Sequence, residues 1–258
     1  MKITALTENT SRDPQIGCEH GLSLYIETNA HKLLFDAGQS ALFAANAEQL
    51  GVDLSQVGLA VLSHGHYDHA GGLERFLQLN DHAPVYLSRY ATEPHYNADG
   101  KYIGTAEALS HSDRLRYTGE AYRIDESLAL YSCNERPKPY PLDTGGLSME
   151  SGGARCPEDF RHEQYLLITE NGKRVLISGC SHKGIRNLMH WFRPDVLVGG
   201  FHLMKRKLDD RLIADAKALD NYPTAYYTCH CTGVEQYRYM KPYMQRLHYL
   251  SAGQTIEL

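Results

Sequence analysis

Short hydrophobic runs typical of buried strands alternate along the first half of the chain with segments of helical spacing. Apolar, β-branched and aromatic residues fill 22–28 and 31–38, and the short polar break between them predicts a hairpin. Residues 39–51 have helical spacing and end at a glycine. The apolar run 57–63 predicts a buried strand, and residues 83–88 predict another after a short helix.

The second half of the chain repeats this alternation. Residues 163–170 and 174–179 predict a hairpin around an Asn-Gly turn. The elements predicted after it are a helix, a strand, a helix, a strand and a long last helix, at 184–192, 195–201, 209–221, 224–230 and 234–250. This order predicts an α/β fold in which helices cover both sheet faces.

A loose stretch interrupts the pattern at residues 134–160. It is rich in proline and glycine and has no convincing period. A segment of this length without structure is usually disordered or a functional lid. We therefore expect a single domain over 1–258, with a lid or irregular insertion around 134–160.

Composition restricts the partners and the compartment. A net charge of -5 gives no general attraction to nucleic acid or to anionic membrane, so we expect neither as a partner. The N-terminus lacks a signal-like apolar stretch, and no run of about 18 apolar residues occurs. The expected location is cytoplasmic, with the six cysteines reduced. The oligomeric state is left open, and a homodimer is compatible with the sequence.

The strongest chemical feature is the stretch "LSHGHYDHAGG" at residues 62–72. His64, His66, Asp68 and His69 follow directly on a predicted buried strand, where open α/β sheets commonly place ligands. A polar surface loop with accidental histidines is the alternative, but four ligand-type residues at this spacing favour metal. Zinc suits the set best, as one or two ions, with manganese or iron as alternatives.

The stretch "HGHYDH" resembles the His-x-His-x-Asp-His motif of the metallo-β-lactamase superfamily. Further similarity lies in "EHGLSLYIE", "LLFDAGQS", "LGVDLSQV", "LISGCSHKGI", "VLVGGFHL" and "CHCTG". Together these segments look like the branch that contains an archaeal dihydropterin/ribofuranosylaminobenzene phosphate synthase and many uncharacterised metal-dependent hydrolases. The resemblance covers nearly the whole chain. It implies a four-layered αβ/βα sandwich with the site at one edge, between the two sheets.

The resemblance also implies ligands further along the chain. His230 matches the final histidine of the family, and Cys180 stands where the family has aspartate. We take His182 as a ligand, while Cys180 is either a thiolate ligand or a small core residue. The family's third histidine has no obvious match, because His95 reads as an exposed loop residue. Asp36 matches a family turn and is expected to support His66 or His69.

Such a centre implies hydrolytic chemistry. A bound metal polarises a carbonyl or phosphoryl oxygen and lowers the pKa of a bound water to about 7. Asp68 is the candidate general base. His202 or His182 is the candidate proton donor to the leaving group, and His202 could equally support a ligand.

Two features point to a small anionic substrate. The helix predicted after "SHKGI" would present the amides near Lys183 and Gly184 to the site, and such a terminus favours phosphate or carboxylate. Lys205 and Arg206 lie just beyond the strand end that carries His202. A solvated basic surface is an equally good interpretation of that run.

The leading hypothesis is therefore a metal-dependent hydrolase that acts on a small anionic molecule, with phosphorylated compounds among the candidates. The resemblance adds a pterin-linked transferase of the methanopterin type as a second enzymatic hypothesis. A non-catalytic metal-binding or sensing protein is the third. An open coordination position would favour catalysis, whereas a closed set of protein ligands would favour the third hypothesis.

Overall fold

The computed structural model describes residues 1–258, apart from the side chain of Ala108, and its main feature is a pair of seven-stranded sheets. The strands, in chain order, are β1 (Lys2–Thr7), β2 (Ser23–Glu27), β3 (Lys32–Phe35), β4 (Leu59–Val61), β5 (Val85–Ser88), β6 (His95–Tyr96), β7 (Leu115–Thr118), β8 (Ala121–Arg123), β9 (Leu128–Tyr131), β10 (Ser148–Ser151), β11 (Ala154–Pro157), β12 (Tyr165–Glu170), β13 (Lys173–Ile177), β14 (Val196–Val198), β15 (Ala225–Thr228), β16 (Leu247–Tyr249) and β17 (Thr255–Glu257). The α-helices are α1 (Leu42–Gln49), α2 (Tyr67–Ala70), α3 (Leu73–Leu79), α4 (Ile185–Phe192), α5 (Asp210–Asp220) and α6 (Val234–Met240).

Each large sheet combines a parallel and an antiparallel part. The first has the order β17-β1-β2-β3-β4-β5-β7 and is parallel from β3 to β7. The second has the order β16-β15-β14-β13-β12-β9-β8 and is parallel from β16 to β13. A small third sheet has the order β11-β10-β6. The parallel parts matter for function, because their carboxyl ends carry the loops of the site.

Three apolar clusters show that the molecule has four layers. One cluster lies between the sheets and contains Leu24 and Val61 of the first sheet with Leu166 and Ile177 of the second. A second joins the first sheet to α1 and α3, and a third joins the second sheet to α4, α5 and α6. The expected four-layered αβ/βα sandwich is confirmed.

Two stretches differ from their predictions. The predicted last helix stops at Met240, and β16 follows it in parallel pairing with β15. Pro242, the second residue of the short 3-10 turn Lys241–Tyr243 after α6, is incompatible with a continued helix. About a third of the supposedly irregular 134–160 forms the β10–β11 hairpin, which pairs with the distant β6. The hydrophobic period of one segment does not reveal that it pairs with a strand distant in the sequence, as β10 does with β6.

Two glycines hold the metal-motif loop close to its neighbours. A Cβ atom at Gly65 would lie 2.0 Å from the carbonyl oxygen of Ala91, and one at Gly72 would lie 2.1 Å from that of Ala37. No other side chain fits at these contacts without moving the backbone. The loop is therefore fixed by close packing from both ends.

Among the residues that the structure describes, no helix is both long and apolar enough to cross a membrane.

Replacing Gly72 with alanine tests this packing. Its φ of -83° suits any residue, so the cost is purely steric, and we expect the free energy of unfolding to fall by about 2 kcal/mol or more. Gly58→Ala is the matched control, because a Cβ there would lie 3.8 Å from its nearest neighbour. Urea unfolding of both variants measures the difference, and equal stabilities would show that the close contact at Gly72 is not as tight as described.

Candidate metal centre

The candidate site lies where three parallel strands end. Residues 64–69 follow β4 of the first sheet, and residues 180–182 follow β13 of the second. His230 follows β15, two strands from β13 in the same sheet. Ligands commonly bind at such carboxyl ends in α/β sheets. Segments more than a hundred residues apart therefore meet at one edge of the sandwich.

The first ligand set consists of His64, His66 and His182. Each offers a ring nitrogen, and the three nitrogens lie within 4.8 Å of one another. The Nε2 atoms of His64 and His182 are 3.2 Å apart. All three side chains are buried, and burial lowers the pKa of His66 to about 3. Neutral imidazoles that converge in this way are the form in which histidine binds a metal.

The second ligand set consists of Asp68, His69 and His230. The Nε2 atoms of His69 and His230 are 3.1 Å apart. Asp68 Oδ2 lies 3.3 Å from His230 Nε2 and 3.9 Å from His69 Nε2. Burial raises the pKa of Asp68, but the neighbouring His69 and the hydrogen bond from His20 outweigh it and hold that pKa well below its usual range. Asp68 is therefore an ionised ligand oxygen.

The carboxylate of Asp36 determines which ring nitrogen carries hydrogen in one histidine of each ligand set, His64 in the first and His69 in the second. Its Oδ2 accepts hydrogen bonds from Ser63 Oγ and from His69 Nδ1, both at 2.7 Å. Because the Ser63 hydroxyl hydrogen is used on Asp36, Ser63 Oγ must accept the hydrogen bond of 2.8 Å that joins it to His64 Nδ1. Both His64 and His69 therefore carry hydrogen on Nδ1, and Nε2 is the nitrogen left for a metal. Burial lowers the pKa of His69, but the charges of Asp36 and Asp68 outweigh it and raise that pKa to about 9, so a metal would displace a proton from His69 Nε2.

His230 is oriented in the same way by a different partner. Its Nδ1 lies 2.7 Å from Asn9 Oδ1, a carbonyl oxygen that can only accept. Its Nε2 lone pair is therefore also free. The hydrogen-bond partners of His64, His69 and His230 thus all place a hydrogen on Nδ1, and Nε2 of each ring is directed at the centre.

Cys180 lies between the two ligand sets. Its Sγ is 3.1 Å from His69 Nε2, and it forms a group of potential ligands with His64 and His69. Burial raises the pKa of the Cys180 thiol well above its usual range, so a bound cation would be needed to hold it as thiolate. The sequence left open whether Cys180 is a ligand beside His182 or a core residue. The structure places both at the centre, with His182 in the first ligand set and Cys180 between the two sets.

The donor chemistry of the centre fits divalent transition metals. Imidazole, carboxylate and thiolate groups converge here, with the ring lone pairs already oriented. Zinc accepts all three ligand types, and manganese and iron accept the imidazole and carboxylate groups. Each set offers three side-chain ligand atoms.

The amides predicted to receive an anionic substrate bind a carboxylate of the protein instead. Glu163 accepts hydrogen bonds from the backbone N–H groups of His182, at 2.7 Å, and Lys183, at 3.0 Å. The N–H of Gly184 donates to the carbonyl of Ser181. The amides of His182 and Lys183 are therefore occupied by Glu163, whereas Gly184 lines the pocket described below, and its role in substrate binding stays a prediction.

The side chain of Lys183 is likewise unavailable to a substrate. It is fully buried, and its Nζ donates to the carbonyl oxygens of Ser132 and Glu163, each at 2.9 Å. Burial lowers the pKa of this ammonium group to about 8. Lys183 thus ties the α4 turn to the second sheet.

A pocket of about 230 Å³ opens beside the first ligand set. His182 and His202 line its inner end, and Arg186, Arg206 and Tyr140 line its walls. Gly184 also lines it. Of the predicted basic pair, Arg206 reaches the pocket, whereas the neighbouring Lys205 is exposed and is not among the lining residues.

His202 lies against the first ligand set from the pocket side. Its ring centroid is 4.2 Å from that of His182. Burial lowers the pKa of His202, but the hydrogen bond and charge of Cys231 outweigh it and raise that pKa overall. A protonated imidazole at this position can donate a proton into the pocket, which is the role predicted for it.

Several residues at the centre were not predicted from the sequence to lie there. His95 is buried on β6, contrary to its expected exposure, and its ring centroid is 5.6 Å from that of His66. His20 lies 3.2 Å from Asp68, and Cys231 forms a potential ligand group with Cys180 and His202. The repeated cysteine in "CHC" was a usable signal for Cys231, whereas His20 and His95 reach the site by tertiary folding alone.

Comparison with known proteins gives a consistent family match. The family model of the metallo-beta-lactamase superfamily matches residues 16–227. An uncharacterised protein of Methanocaldococcus jannaschii is 28% identical over 249 residues, covering 90% of each chain. The 7,8-dihydropterin-6-methyl-4-(beta-D-ribofuranosyl)-aminobenzene-5'-phosphate synthase of the same organism is 26% identical over 291 residues, covering 100% of this chain and 96% of its own.

A solved structure agrees with these matches. Tm1679, described as a metal-dependent hydrolase of the beta-lactamase superfamily, superposes with a TM-score of 0.85 at 30% identity. The superposition covers 100% of this chain and 99% of the Tm1679 chain.

Replacing His66 with alanine tests the first ligand set. We expect the protein to lose tight binding of one ion and to keep the other, because the second set has no ligand from His66. Isothermal titration of metal-free protein with zinc measures the number of ions bound. His82→Ala is the control, because His82 is exposed and remote from both sets. Unchanged stoichiometry in the His66 variant would contradict the assignment.

Replacing Asp36 with asparagine tests the support of the ligands. The amide keeps the shape but has one acceptor oxygen, so it cannot serve the Ser63 backbone N–H at one position and the Ser63 hydroxyl and His69 ring at the other, and the arrangement that fixes His64 and His69 is disturbed. We expect metal affinity to fall by about 10–100-fold. Competition with a chromophoric chelator measures it. An affinity equal to that of the unaltered protein would show that Asp36 does not orient these ligands.

Proposed function

The chain belongs to the metallo-beta-lactamase superfamily, and we propose that it is a metal-dependent hydrolase of a small anionic substrate. The observation that carries the proposal is the pair of adjacent ligand sets beside a pocket with two arginines in its wall. A purely structural metal would need no such pocket. The 30% identity with Tm1679 over the whole chain supports the same class of reaction.

The residues of the centre divide into ligands and pocket groups. His64, His66 and His182 would hold one ion, and Asp68, His69 and His230 a second, with Cys180 between them. A bound divalent ion, for which we propose zinc, polarises the reacting carbonyl or phosphoryl oxygen and acidifies water at neutral pH. The imidazole and thiolate donors favour zinc over manganese.

Asp68 and His202 are placed for opposite proton-transfer roles. The depressed pKa of Asp68 keeps it ionised, so that it can orient an attacking water by accepting its hydrogen bond. The raised pKa of His202 lets it hold a proton for the leaving group. Their environments push the two pKa values in opposite ways, which is the pattern expected of a base and an acid.

The pocket wall offers an anionic substrate two arginines, each of which is paired with an aspartate that also lines the pocket. Arg206 Nη1 is 3.1 Å from Asp143, and Arg186 Nη1 is 3.3 Å from Asp215. These ion pairs are only partly buried, so the guanidinium groups can exchange their partners for a substrate phosphate or carboxylate at modest cost. Arg186 also packs over Tyr140, with its Cζ 4.0 Å from the ring centroid.

A transferase that acts on a pterin-linked substrate is the second candidate function. It is supported by the match to the M. jannaschii synthase over the whole of this chain. Pterins are flat aromatic molecules, and Tyr140 offers the pocket an aromatic face. Assay of the purified protein with a dihydropterin diphosphate and an aminobenzene ribosyl phosphate distinguishes this reaction from hydrolysis.

Arg206→Ala tests the substrate class. A panel of phosphodiester, phosphomonoester and lactone substrates first identifies the reaction of the zinc-loaded protein. For an anionic substrate we expect the Arg206 variant to raise KM about tenfold, equivalent to about 1.4 kcal/mol, because a charge-assisted hydrogen bond is lost. Lys205→Ala is the matched control, since that neighbouring cation does not line the pocket.

The comparison of the Arg206 and Lys205 variants tests whether the substrate binds to the arginines of the pocket. Equal kinetics in the Arg206 and Lys205 variants would show that the substrate does not use the arginine wall. Absence of turnover with every substrate class, in protein that holds both ions, would contradict the hydrolase proposal and favour a binding or sensing role.

A further inference from the structure

A second group of buried histidines lies directly behind the first ligand set. His95 on β6, Glu158 just after β11 and His162 just before β12 join His66 in a cluster whose potential ligand atoms lie within 4.8 Å of one another. His95 and His162 are fully buried, and Glu158 is 3% exposed. The Nε2 atoms of His66, His95 and His162 are buried without hydrogen-bond partners. Buried polar groups of this kind call for an explanation.

Glu158 determines the tautomer of His95. Its Oε2 lies 2.8 Å from His95 Nδ1, and its Oε1 accepts a hydrogen bond of 3.0 Å from the backbone N–H of Phe160. A carboxylate can only accept, so His95 carries hydrogen on Nδ1. The Nε2 of His95 therefore has a free lone pair inside the cluster.

His162 has the opposite tautomer. The backbone N–H of Gly65 donates to His162 Nδ1 at 2.9 Å, so this nitrogen has no hydrogen. An imidazole ring keeps at least one hydrogen, which is therefore on Nε2, so this nitrogen has no lone pair to offer a metal.

These proton positions argue against a further metal ion in the cluster. His162 has no lone pair to offer on Nε2, and both oxygens of Glu158 already accept hydrogen bonds. The rings of His95 and His162 stack, with centroids 3.8 Å apart and an angle of 24° between their planes. What the cluster does offer is one acceptor, His95 Nε2, in a group that includes the buried His66, whose own Nε2 has no hydrogen-bond partner in this structure.

We propose that Glu158 and His95 form a carboxylate–imidazole pair that accepts the remaining ring hydrogen of His66 and orients it as a metal ligand. The pair rests on the proposed metal centre. A histidine that binds metal through one nitrogen keeps hydrogen on the other, which requires an acceptor when it is buried. If Nε2 of His66 donates to His95 in the metal-bound protein, Nδ1 is the ring nitrogen left for the ion that His64 and His182 would share. His95 and Glu158 are thus positioning residues.

Glu158→Gln tests the pair with little change of shape. The new amide can still accept from Phe160 through its oxygen, but its NH₂ group then donates to His95 Nδ1. His95 must move its hydrogen to Nε2, where it can no longer accept from His66. We expect the affinity for one of the two zinc ions to fall by about 10–100-fold, with the other affinity and the saturating stoichiometry unchanged.

Glu150→Gln is the matched control. Glu150 lies on β10 of the same small sheet, where it accepts a hydrogen bond of 3.2 Å from Tyr96, and it has no contact with the histidines of the cluster. If Glu158→Gln fails to fold by circular dichroism, His95→Phe takes its place, because phenylalanine fills similar space without an acceptor nitrogen. Stepwise zinc titration of metal-free protein is the measurement in each case.

The outcomes separate this inference from the proposed function. Unchanged affinities in Glu158→Gln, or equal losses at both ions, would overturn the pair. A saturating stoichiometry one ion lower than that of the unaltered protein would also overturn it, since the cluster would then be an ion site. If the unaltered protein binds no zinc, the metal centre and the proposed function fail before the variant is considered.

Discussion

The centre depends above all on one fully buried carboxylate, that of Asp36. It accepts hydrogen bonds from the backbone N–H and hydroxyl of Ser63 and from the ring of His69, and through Ser63 it fixes the tautomer of His64. A buried charge is costly unless such donors surround it. The same bonds that stabilise Asp36 therefore direct one imidazole lone pair into each ligand set. Its φ of 59° places it at a sharp turn directly after β3, which brings it beside the metal-motif loop.

The second sheet contributes its half of the centre through another buried carboxylate. Glu163 holds the turn that carries His182, using the amides at the start of α4 that would otherwise attract an anion from solution. Lys183 neutralises this charge locally and binds the adjacent carbonyls. On the proposed function, recognition of an anionic substrate is left to the arginines of the pocket. The carboxylates that hold the ligand loops and the proposed substrate anion would then have separate partners.

Sequence reasoning was most successful where chemistry is local. The motif at residues 64–69, the strands on either side of it and the αβ/βα sandwich follow from hydrophobic pattern, spacing and family resemblance. The predictions were wrong where the burial of a residue depended on pairing between segments distant in the sequence. His95 and the β10–β11 hairpin are placed by each other across more than fifty residues, so no local pattern marked them as buried. The amide of Lys183 was misread because Glu163, which lies just before β12, reaches it only in the folded structure.

The central claim is that two ligand sets, drawn from both sheets, hold two metal ions. Anomalous diffraction from crystals of the zinc-loaded protein tests it most directly, because it locates each ion rather than counting it. The account predicts two peaks, one among His64, His66 and His182 and one among Asp68, His69 and His230. A single peak shared by both sets, or a peak among His95, Glu158 and His162, would contradict it.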